Sequence, residues 1–236
     1  MLTKFVILIF FLIFSVNSDD KNISEQEIKN IIEKYILENP EILIESLEKF
    51  TASQKEKQEE IFVDILNNFY DTKVYESLPR IGNIDSKLII VEFVDYNCGY
   101  CKKTLSTISK LVKNFDNIQI VFVDYPILSE SSEIAARASL AANEQNAYFA
   151  YHTILLNNTK SINKNNLYKI AKELSLDIEK FKKDMFSKKI KNNIIKNIEF
   201  ANSLNIRGTP TFIIGRQILP GAFDYDKLKK IILDNS

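Results

Sequence analysis

The feature that most constrains the fold is an apolar run that leads directly into two closely spaced cysteines. Residues 88–94 are apolar except for Glu92, and Cys98 and Cys101 follow with two residues between them. A continuous apolar run of this length is typical of a strand whose sheet is covered on both faces. Residues 102–112 have a helical composition, and residues 118–123 form a second apolar run. The pattern predicts a β-α-β unit with the cysteines at the start of its helix.

The rest of the chain continues this alternation after a long helical stretch. Every segment between residues 131 and 204 has the composition of a helix, with caps expected near Asn163, Asp177 and Ser187. Residues 211–214 and 217–219 then predict a hairpin, and Asp224 is expected to cap a last helix. The order β-α-β, helical insertion, β-β-α predicts an α/β domain over residues 76–236 with an all-helical insertion at about 131–204.

Residues 21–75 precede this domain and predict a helical segment. Ser24 and Glu27 have the spacing of a capping box, and residues 39–41 read Asn-Pro-Glu, which ends one helix and begins another. The second helix has apolar residues at both ends and a polar middle over residues 53–60. Such a helix can bridge two bodies, and its first apolar patch can meet a second copy of the chain. The alternative is a pair of helices folded back on their own core.

The N-terminus has the pattern of a secretory signal. Lys4 precedes an apolar run over residues 5–14, and small residues follow up to Ser18. The pattern predicts a signal peptide over residues 1–18 with cleavage after Ser18, and the alternative is an uncleaved membrane anchor. No cysteine follows the apolar run, which argues against a lipoprotein anchor.

Composition excludes one class of partner and allows a substantial core. Lys plus Arg and Asp plus Glu both number 31, and no long block of one charge is present, which argues against nucleic-acid binding. With 236 residues, 45% of them hydrophobic, the chain can bury a core without disulfide support.

The two cysteines predict redox chemistry. A helix N-terminus stabilises a thiolate, so Cys98 is the expected nucleophile, and Cys101, one turn further, is the expected resolving thiol. A loop of this size constrains the unfolded chain too little for a structural disulfide. Zinc normally takes four ligands, and His152 is the single histidine, about 50 residues away. We therefore expect no metal and no cofactor, and we expect His152 to be packed in a helix.

Residues 91–101 resemble the active-site segment of the DsbA-like family of bacterial thioredoxin-fold proteins, and residues 207–212 resemble its second signature. The resemblance implies a thioredoxin fold in which Pro210 is cis and faces the cysteines. Thr209 and Pro210 would then border the active site and bind substrate, together with Gly99 and Tyr100. An ordinary trans proline is the alternative at this position.

Glu92 resembles the buried acid that lies beneath the disulfide in this family. The resemblance implies that Glu92 exchanges protons with the resolving thiol, and burial would raise its pKa. The alternative is a solvated edge residue.

Residues 24–70 resemble the N-terminal segment of ScsC-like and Com1-like proteins, and ScsC-like relatives use such segments to oligomerise. Gly99-Tyr100 differs from the Pro-His pair of DsbA and equals the pair of the isomerase DsbC. The expected function is an exported, periplasmic thiol–disulfide oxidoreductase acting on cysteine-containing exported proteins and reset by a redox partner. An oligomeric disulfide isomerase is the first alternative. An exported, non-enzymatic binding protein with a structural disulfide is the second.

Overall fold

A mixed five-stranded sheet forms the centre of the computed structural model, which describes residues 24–158 and 161–235. The strands are β1 (Arg80–Gly82), β2 (Leu88–Val94), β3 (Ile118–Asp124), β4 (Thr211–Ile214) and β5 (Gln217–Pro220), in the order β1-β3-β2-β4-β5. β2 and β3 pair in parallel, as the β-α-β prediction requires, and the other neighbours pair antiparallel. β1 was not expected, because three residues carry no readable periodicity. The predicted signal peptide over residues 1–18 lies outside the described residues.

Two helices precede the sheet. α1 (Glu25–Glu38) begins with the predicted capping box, in which Ser24 and Glu27 each accept a backbone hydrogen bond from the other. α2 (Pro40–Asp71) follows and runs through the polar middle without interruption. A 3-10 turn over Val74–Ser77 then leads into β1.

The remaining helices of the described chain cover the sheet and form the insertion. They are α3 (Gly99–Asn114), α4 (Glu130–Asn143), α5 (Tyr148–Asn157), α6 (Lys164–Glu173), α7 (Ile178–Met185), α8 (Lys188–Ser203) and α9 (Tyr225–Asp234). The predicted caps Asn163, Asp177 and Ser187 each accept a backbone N–H at the start of a helix. α4 to α8 occupy the predicted insertion, and the thioredoxin fold with an all-helical insertion is confirmed.

Side chains alternate between the two faces of β2, so the sheet separates two cores. Ile90 and Val94 join the first core, which also contains both cysteines and buried side chains from α3 to α9. Val91 and Phe93 face the other way and join the second core. Its further members come from α2, the neighbouring strands and α8: Leu66, Phe69, Ile89, Val121, Val123, Tyr125, Ala201, Leu204, Ile206 and Ile213.

The described residues divide into two compact units, one that ends at Glu56 and one that begins at Lys57. Within the first unit, α1 has no buried side chain. The second unit contains both cores and includes Leu66 and Phe69 from the end of α2. The second unit begins at Lys57, and the domain boundary expected at residue 76 stays a prediction. No helix in residues 24–158 and 161–235 has the length and apolar character that crossing a membrane requires.

Candidate active site

Cys98 lies at the N-cap of α3, where the chain leaves β2 and its connecting loop. Its backbone is extended, and its Sγ accepts a hydrogen bond from the backbone N–H of Cys101 at 3.4 Å. The first N–H groups of a helix have no intrahelical partner and favour negative charge nearby. The side chain of Cys98 is therefore placed where a thiolate is stabilised.

The opposite wall of the site is the segment around Pro210. The Thr209–Pro210 peptide bond is cis, and the Cys98 thiol donates to the carbonyl oxygen of Thr209 at 3.0 Å. The structure thus brings together two segments about 110 residues apart, as the sequence resemblance implies. The carbonyl oxygen of Pro210 accepts a hydrogen bond from the backbone N–H of Gly221 at 2.8 Å.

Cys101 lies one turn further along α3 and is fully buried. Burial raises the pKa of its thiol far above the ordinary value, and the negative charge of ionised Glu92 raises it further. Cys98 is also largely covered, with 5% of its surface exposed, but it lies at the rim of the site. The two thiols therefore have different electrostatic environments within one helical turn.

Glu92 lies on β2 and projects into the first core beneath α3. Only 2% of its surface is exposed, and its Oε1 accepts a hydrogen bond from Thr104 Oγ1 at 2.9 Å. Its Oε2 is buried without a hydrogen-bond partner among the described residues. Burial raises the pKa of Glu92 to about 8, so the carboxyl group holds a proton at neutral pH. It can give that proton to a neighbouring base or take one back.

The two residues between the cysteines face outward. Tyr100 is 61% exposed, and the ammonium group of Lys103 lies 5.2 Å from its ring centroid. Gly99 is exposed as well, and a Cβ added there would meet nothing within 4 Å. Both residues can therefore contact a second molecule that approaches Cys98.

Asp95 fixes the loop between β2 and α3. Its Oδ1 accepts hydrogen bonds from Asn97 N and Ser132 Oγ, and its Oδ2 accepts from the backbone N–H groups of Ile127 and Leu128, all between 2.7 and 3.0 Å. A buried carboxylate with four donors is well satisfied. Asp95 thus anchors the loop that leads to Cys98.

His152 lies on α5, away from the cysteines, in an aromatic cluster. It contacts the rings of Tyr96, Phe122, Tyr148 and Phe149, and burial lowers its pKa to about 3. Within the described part of the chain, no three His, Cys, Asp or Glu side chains lie together as metal ligands would.

Three residues near the site were not predicted from the sequence. Thr104 follows Cys101 by one helical turn, a spacing that could have indicated its contact with Glu92. Tyr96 and Asp124 are buried and polar, and they are joined through residues of the insertion. No local pattern indicates those contacts, because the partners lie far apart in sequence.

Comparison with protein families gives two matches along the chain. Residues 74–234 match the family model described as Thioredoxin. Residues 25–57 match the model described as the copper resistance protein ScsC N-terminal domain.

Solved structures and curated proteins with similar sequences include three informative cases. The thiol–disulfide exchange protein α-DsbA2 from Wolbachia pipientis is 27% identical, covers 78% of this chain and 98% of its own, and has a TM-score of 0.69. Proteus mirabilis ScsC in a compact conformation is 29% identical, covers 89% of this chain and 97% of its own, and has a TM-score of 0.66. The probable disulfide bond formation protein D of Bacillus anthracis is 27% identical over 67% of this chain and 78% of that protein.

Other curated relatives are much longer than the region they share with this chain. A Na⁺/H⁺ antiporter NhaA of Salinispora tropica is 23% identical over 154 residues, which cover 64% of this chain. The match spans about a quarter of the antiporter, 24% of its length.

Proposed function

This chain belongs to the thioredoxin family, in its DsbA-like group of disulfide oxidoreductases, and from that premise we propose that it exchanges disulfides with cysteine-containing exported proteins through Cys98 and Cys101. The observation that carries the proposal is the position of Cys98. Its sulfur lies at a helix N-terminus and contacts the carbonyl of Thr209 before the cis Pro210. A reactive thiol and a backbone wall for a peptide are thus adjacent.

In the oxidising direction the reaction begins with a Cys98–Cys101 disulfide. A substrate thiolate attacks Cys98 Sγ, a substrate–Cys98 disulfide forms, and Cys101 leaves as a thiolate. A second substrate thiolate then attacks the substrate sulfur of the mixed disulfide and releases Cys98 as a thiolate. The substrate loses two electrons and the Cys98–Cys101 pair gains them. A redox partner of the same dithiol or disulfide class must then take these two electrons.

Glu92 handles the proton of the buried thiol in this scheme. Because the pKa of Cys101 is strongly raised, its thiolate is a poor leaving group unless it is protonated as it forms. Glu92 is buried beside it and holds a proton at neutral pH. Donation from Glu92 to Cys101 Sγ assists the first step, and return of the proton assists the reverse reaction.

The substrate is proposed to bind across Cys98 and the Thr209–Pro210 segment. A cleft of ≈ 350 Å³ is lined by residues 204–211, Ile218, Pro220 and Gly221, and so includes both Thr209 and Pro210. On the other side of the site, Tyr100, Ile127 and Leu128 expose 61%, 40% and 54% of their surfaces. Apolar residues beside a substrate cysteine would cover this exposed rim.

Two assays with wild type and Cys98→Ala test the proposal. Wild type should reduce insulin with a thiol reductant and should restore activity to scrambled ribonuclease, and Cys98→Ala should do neither. Equal activity of the two proteins in both assays would contradict the enzymatic function. That outcome would favour the alternative of a non-enzymatic binding protein.

A second part of the proposal is that residues 24–56 associate with other copies of the chain. Large apolar side chains of α1 and the start of α2 are 38–73% exposed: Ile28, Ile31, Ile32, Tyr35, Ile36, Leu37, Ile42, Leu43, Ile44, Leu47 and Phe50. Contiguous exposed apolar surface of this kind marks an interaction site. Association would gather several Cys98 thiols, which favours the alternative function of a disulfide isomerase.

Light scattering on Ile32→Asp tests this association. The charge should lower the measured mass of the protein lacking residues 1–18, whereas the matched control Lys34→Asp on the same helix should leave that mass unchanged. A monomeric wild type would contradict association. Export and cleavage after Ser18 belong to the same proposal, and N-terminal sequencing of the protein recovered from the periplasm tests both.

A further inference from the structure

A chain of four buried polar side chains connects the loop before Cys98 to the helical insertion. The Tyr96 hydroxyl lies 3.0 Å from His152 Nδ1 and 3.3 Å from the Tyr148 hydroxyl. The Tyr148 hydroxyl in turn donates to Asp124 Oδ1 at 3.1 Å. None of the four side chains is more than 5% exposed. The reaction proposed above uses none of them.

Asp124 is the ionisable end of this chain. It lies at the end of β3, and its Oδ2 is buried without a hydrogen-bond partner among the described residues. Burial, with a smaller contribution from the negative charge of Asp95, raises its pKa to about 7, although hydrogen bonds from Tyr96 and Tyr148 oppose the rise. Besides Asp95 and Tyr96 on the loop, the titratable groups around it are Tyr148 and His152 on α5.

α8 contributes only an uncharged contact to Asp124. Asn197 on that helix donates to the backbone carbonyl of Asp124 at 3.1 Å, not to its carboxyl group. His152 stays neutral at working pH because burial lowers its pKa to about 3. Asp124 is therefore the member of the chain whose charge changes near neutral pH.

The charge on Asp124 decides the direction of the hydrogen bonds. An ionised Asp124 only accepts, so Tyr148 donates to it, Tyr96 donates to Tyr148, and His152 Nδ1–H donates to Tyr96. A protonated Asp124 can donate to Tyr148, Tyr148 then donates to Tyr96, and Tyr96 donates to an unprotonated Nδ1. Both arrangements satisfy every hydroxyl, and they differ by one bound proton. The direction of the hydrogen bonds made by Tyr96 therefore depends on whether Asp124 is ionised.

Tyr96 is also two residues from the nucleophile, in a loop that is held on every side. Asp95 binds the N–H groups of residues 127 and 128, and the Asn97 amide donates to Ser132 Oγ at 2.8 Å. Cys98 N in turn donates to Asp95 O at 3.1 Å. A change at Tyr96 is therefore passed to Cys98 through a short, tethered segment.

We propose that Tyr96 is a positioning residue for Cys98 and that the chain Tyr96–Tyr148–Asp124 makes the reactivity of Cys98 depend on the protonation of Asp124. The inference rests on the proposed function in taking Cys98 as the reactive thiol. Ionisation of Asp124 reverses the hydrogen bonds made by Tyr96, and through the tethered loop this change makes the Cys98 thiol react more slowly.

The test measures alkylation of Cys98 by iodoacetamide in the reduced protein, with the adduct located by mass spectrometry. All proteins carry Glu92→Gln, because Glu92 also titrates in this range. The rate of this parent is divided by the rate of the same protein with Asp124→Asn at each pH. The ratio should fall about fivefold as the pH rises through about 7, the effect expected of roughly one hydrogen bond.

Tyrosine variants separate the chain from general packing. Tyr96→Phe should remove the dependence although Asp124 is still present, because Tyr96 is hydrogen-bonded to Asp124 both directly and through Tyr148. Tyr148→Phe should weaken the dependence by cutting one of these two links. Tyr151→Phe is the matched control, since its hydroxyl is buried on the same helix but donates to the Leu167 carbonyl at 2.9 Å. That variant should keep the full change in the ratio.

A ratio that does not change with pH would overturn the proposal, and so would equal effects of Tyr148→Phe and Tyr151→Phe. If Asp124→Asn does not fold, the rate profiles of the parent and of Tyr148→Phe are compared directly, and superimposable profiles overturn it. Insulin reduction by wild type distinguishes the two proposals. If insulin is reduced but the ratio of alkylation rates does not change with pH, only the role of Tyr96 is contradicted. If the ratio changes with pH but insulin is not reduced, only the proposed enzymatic function is contradicted.

Discussion

Each face of the sheet is covered by a core of buried side chains, but the two cores differ in chemistry. The first core holds both cysteines, and the buried carboxyl groups of Glu92 and Asp124 project from the same face of β2 and β3. The second core is built from aliphatic and aromatic side chains, and the ring of Phe200 contacts those of Phe69 and Phe93. One sheet thus separates a reactive layer from a packing layer.

The difference shows where the fold tolerates an energetic cost. A buried carboxyl group is unfavourable when ionised, and each of the two has one oxygen without a partner among the described residues. Both lie on the face that carries Cys101. If this division is correct, substitutions on the second face change stability alone, and substitutions on the first change the pH dependence of stability and reactivity.

The largest expected effect on stability comes from the packing layer. Phe69→Ala removes a buried ring and should lower the free energy of unfolding by about 3 to 5 kcal/mol. Alkylation of Cys98 in the folded protein should keep its rate. The matched control is Phe50→Ala on the same helix, because Phe50 is 60% exposed and its loss should leave that free energy nearly unchanged. A changed alkylation rate in Phe69→Ala would break the division between the layers.

Glu92→Gln tests the reactive layer and should have the next largest effect. The pKa of Glu92 is raised in the folded protein from 4.5 to about 8, so the folded state holds a proton that the unfolded state has lost between these values. Wild-type stability should therefore fall as the pH rises from about 4.5 to about 8 and should level off above that value. Glutamine carries no such charge, and above pH 8 the variant should be more stable by about 2 to 3 kcal/mol.

Urea unfolding of reduced wild type and Glu92→Gln at several pH values measures this difference. Parallel curves of unfolding free energy against pH would contradict a raised pKa at Glu92. The same comparison for Asp124→Asn should give a difference with the same sign at slightly lower pH, since the pKa of Asp124 is raised to about 7.

A smaller effect on stability is expected from the hydrogen bonds that hold the loop between β2 and α3. Ser132→Ala removes the hydrogen bond from Ser132 Oγ to Asp95 Oδ1, which is 2.7 Å long and buried. The free energy of unfolding should fall by about 1 kcal/mol. Ser109→Ala is the control, because Ser109 Oγ donates within α3 to the Leu105 carbonyl and does not reach the loop. Equal losses in both variants would remove the special role of this anchor.

The smallest effect concerns the partner of Glu92. Thr104→Val removes the hydroxyl that lowers the pKa of Glu92. The pH at which the fall in stability ends should therefore rise by less than about one unit. Thr107→Val, on the same helix but bonded to the Phe223 carbonyl, should leave that pH unchanged. A shift to lower pH in Thr104→Val would contradict the assigned direction of the bond.

Local features of this fold could be predicted from the sequence, and contacts between distant segments mostly could not. The helix caps at Asn163, Asp177 and Ser187 follow from bonds within four residues of each cap. The parallel pairing of β2 and β3 follows from their apolar runs and the helix between them.

The candidate site illustrates the limit more sharply. The position of Cys98 at the helix start is local and could be read from the spacing, but the approach of Thr209 came only from the family resemblance. Tyr96 and Asp124 had no signal at all, because their contacts are made through residues of the insertion, which follows them in the chain. Burial on one face of a sheet does not reveal which distant side chain supplies the partner.

The central claim is that Cys98 attacks and Cys101 resolves, and trapping the mixed disulfide tests it most directly. Reduced Cys101→Ala is incubated with a peptide that contains a disulfide, and the adduct is located by mass spectrometry. The account predicts a stable peptide adduct on Cys98, with little adduct in wild type, where the thiol of Cys101 releases the peptide. No adduct in Cys101→Ala, or an equally stable adduct on Cys101 in Cys98→Ala, would contradict it.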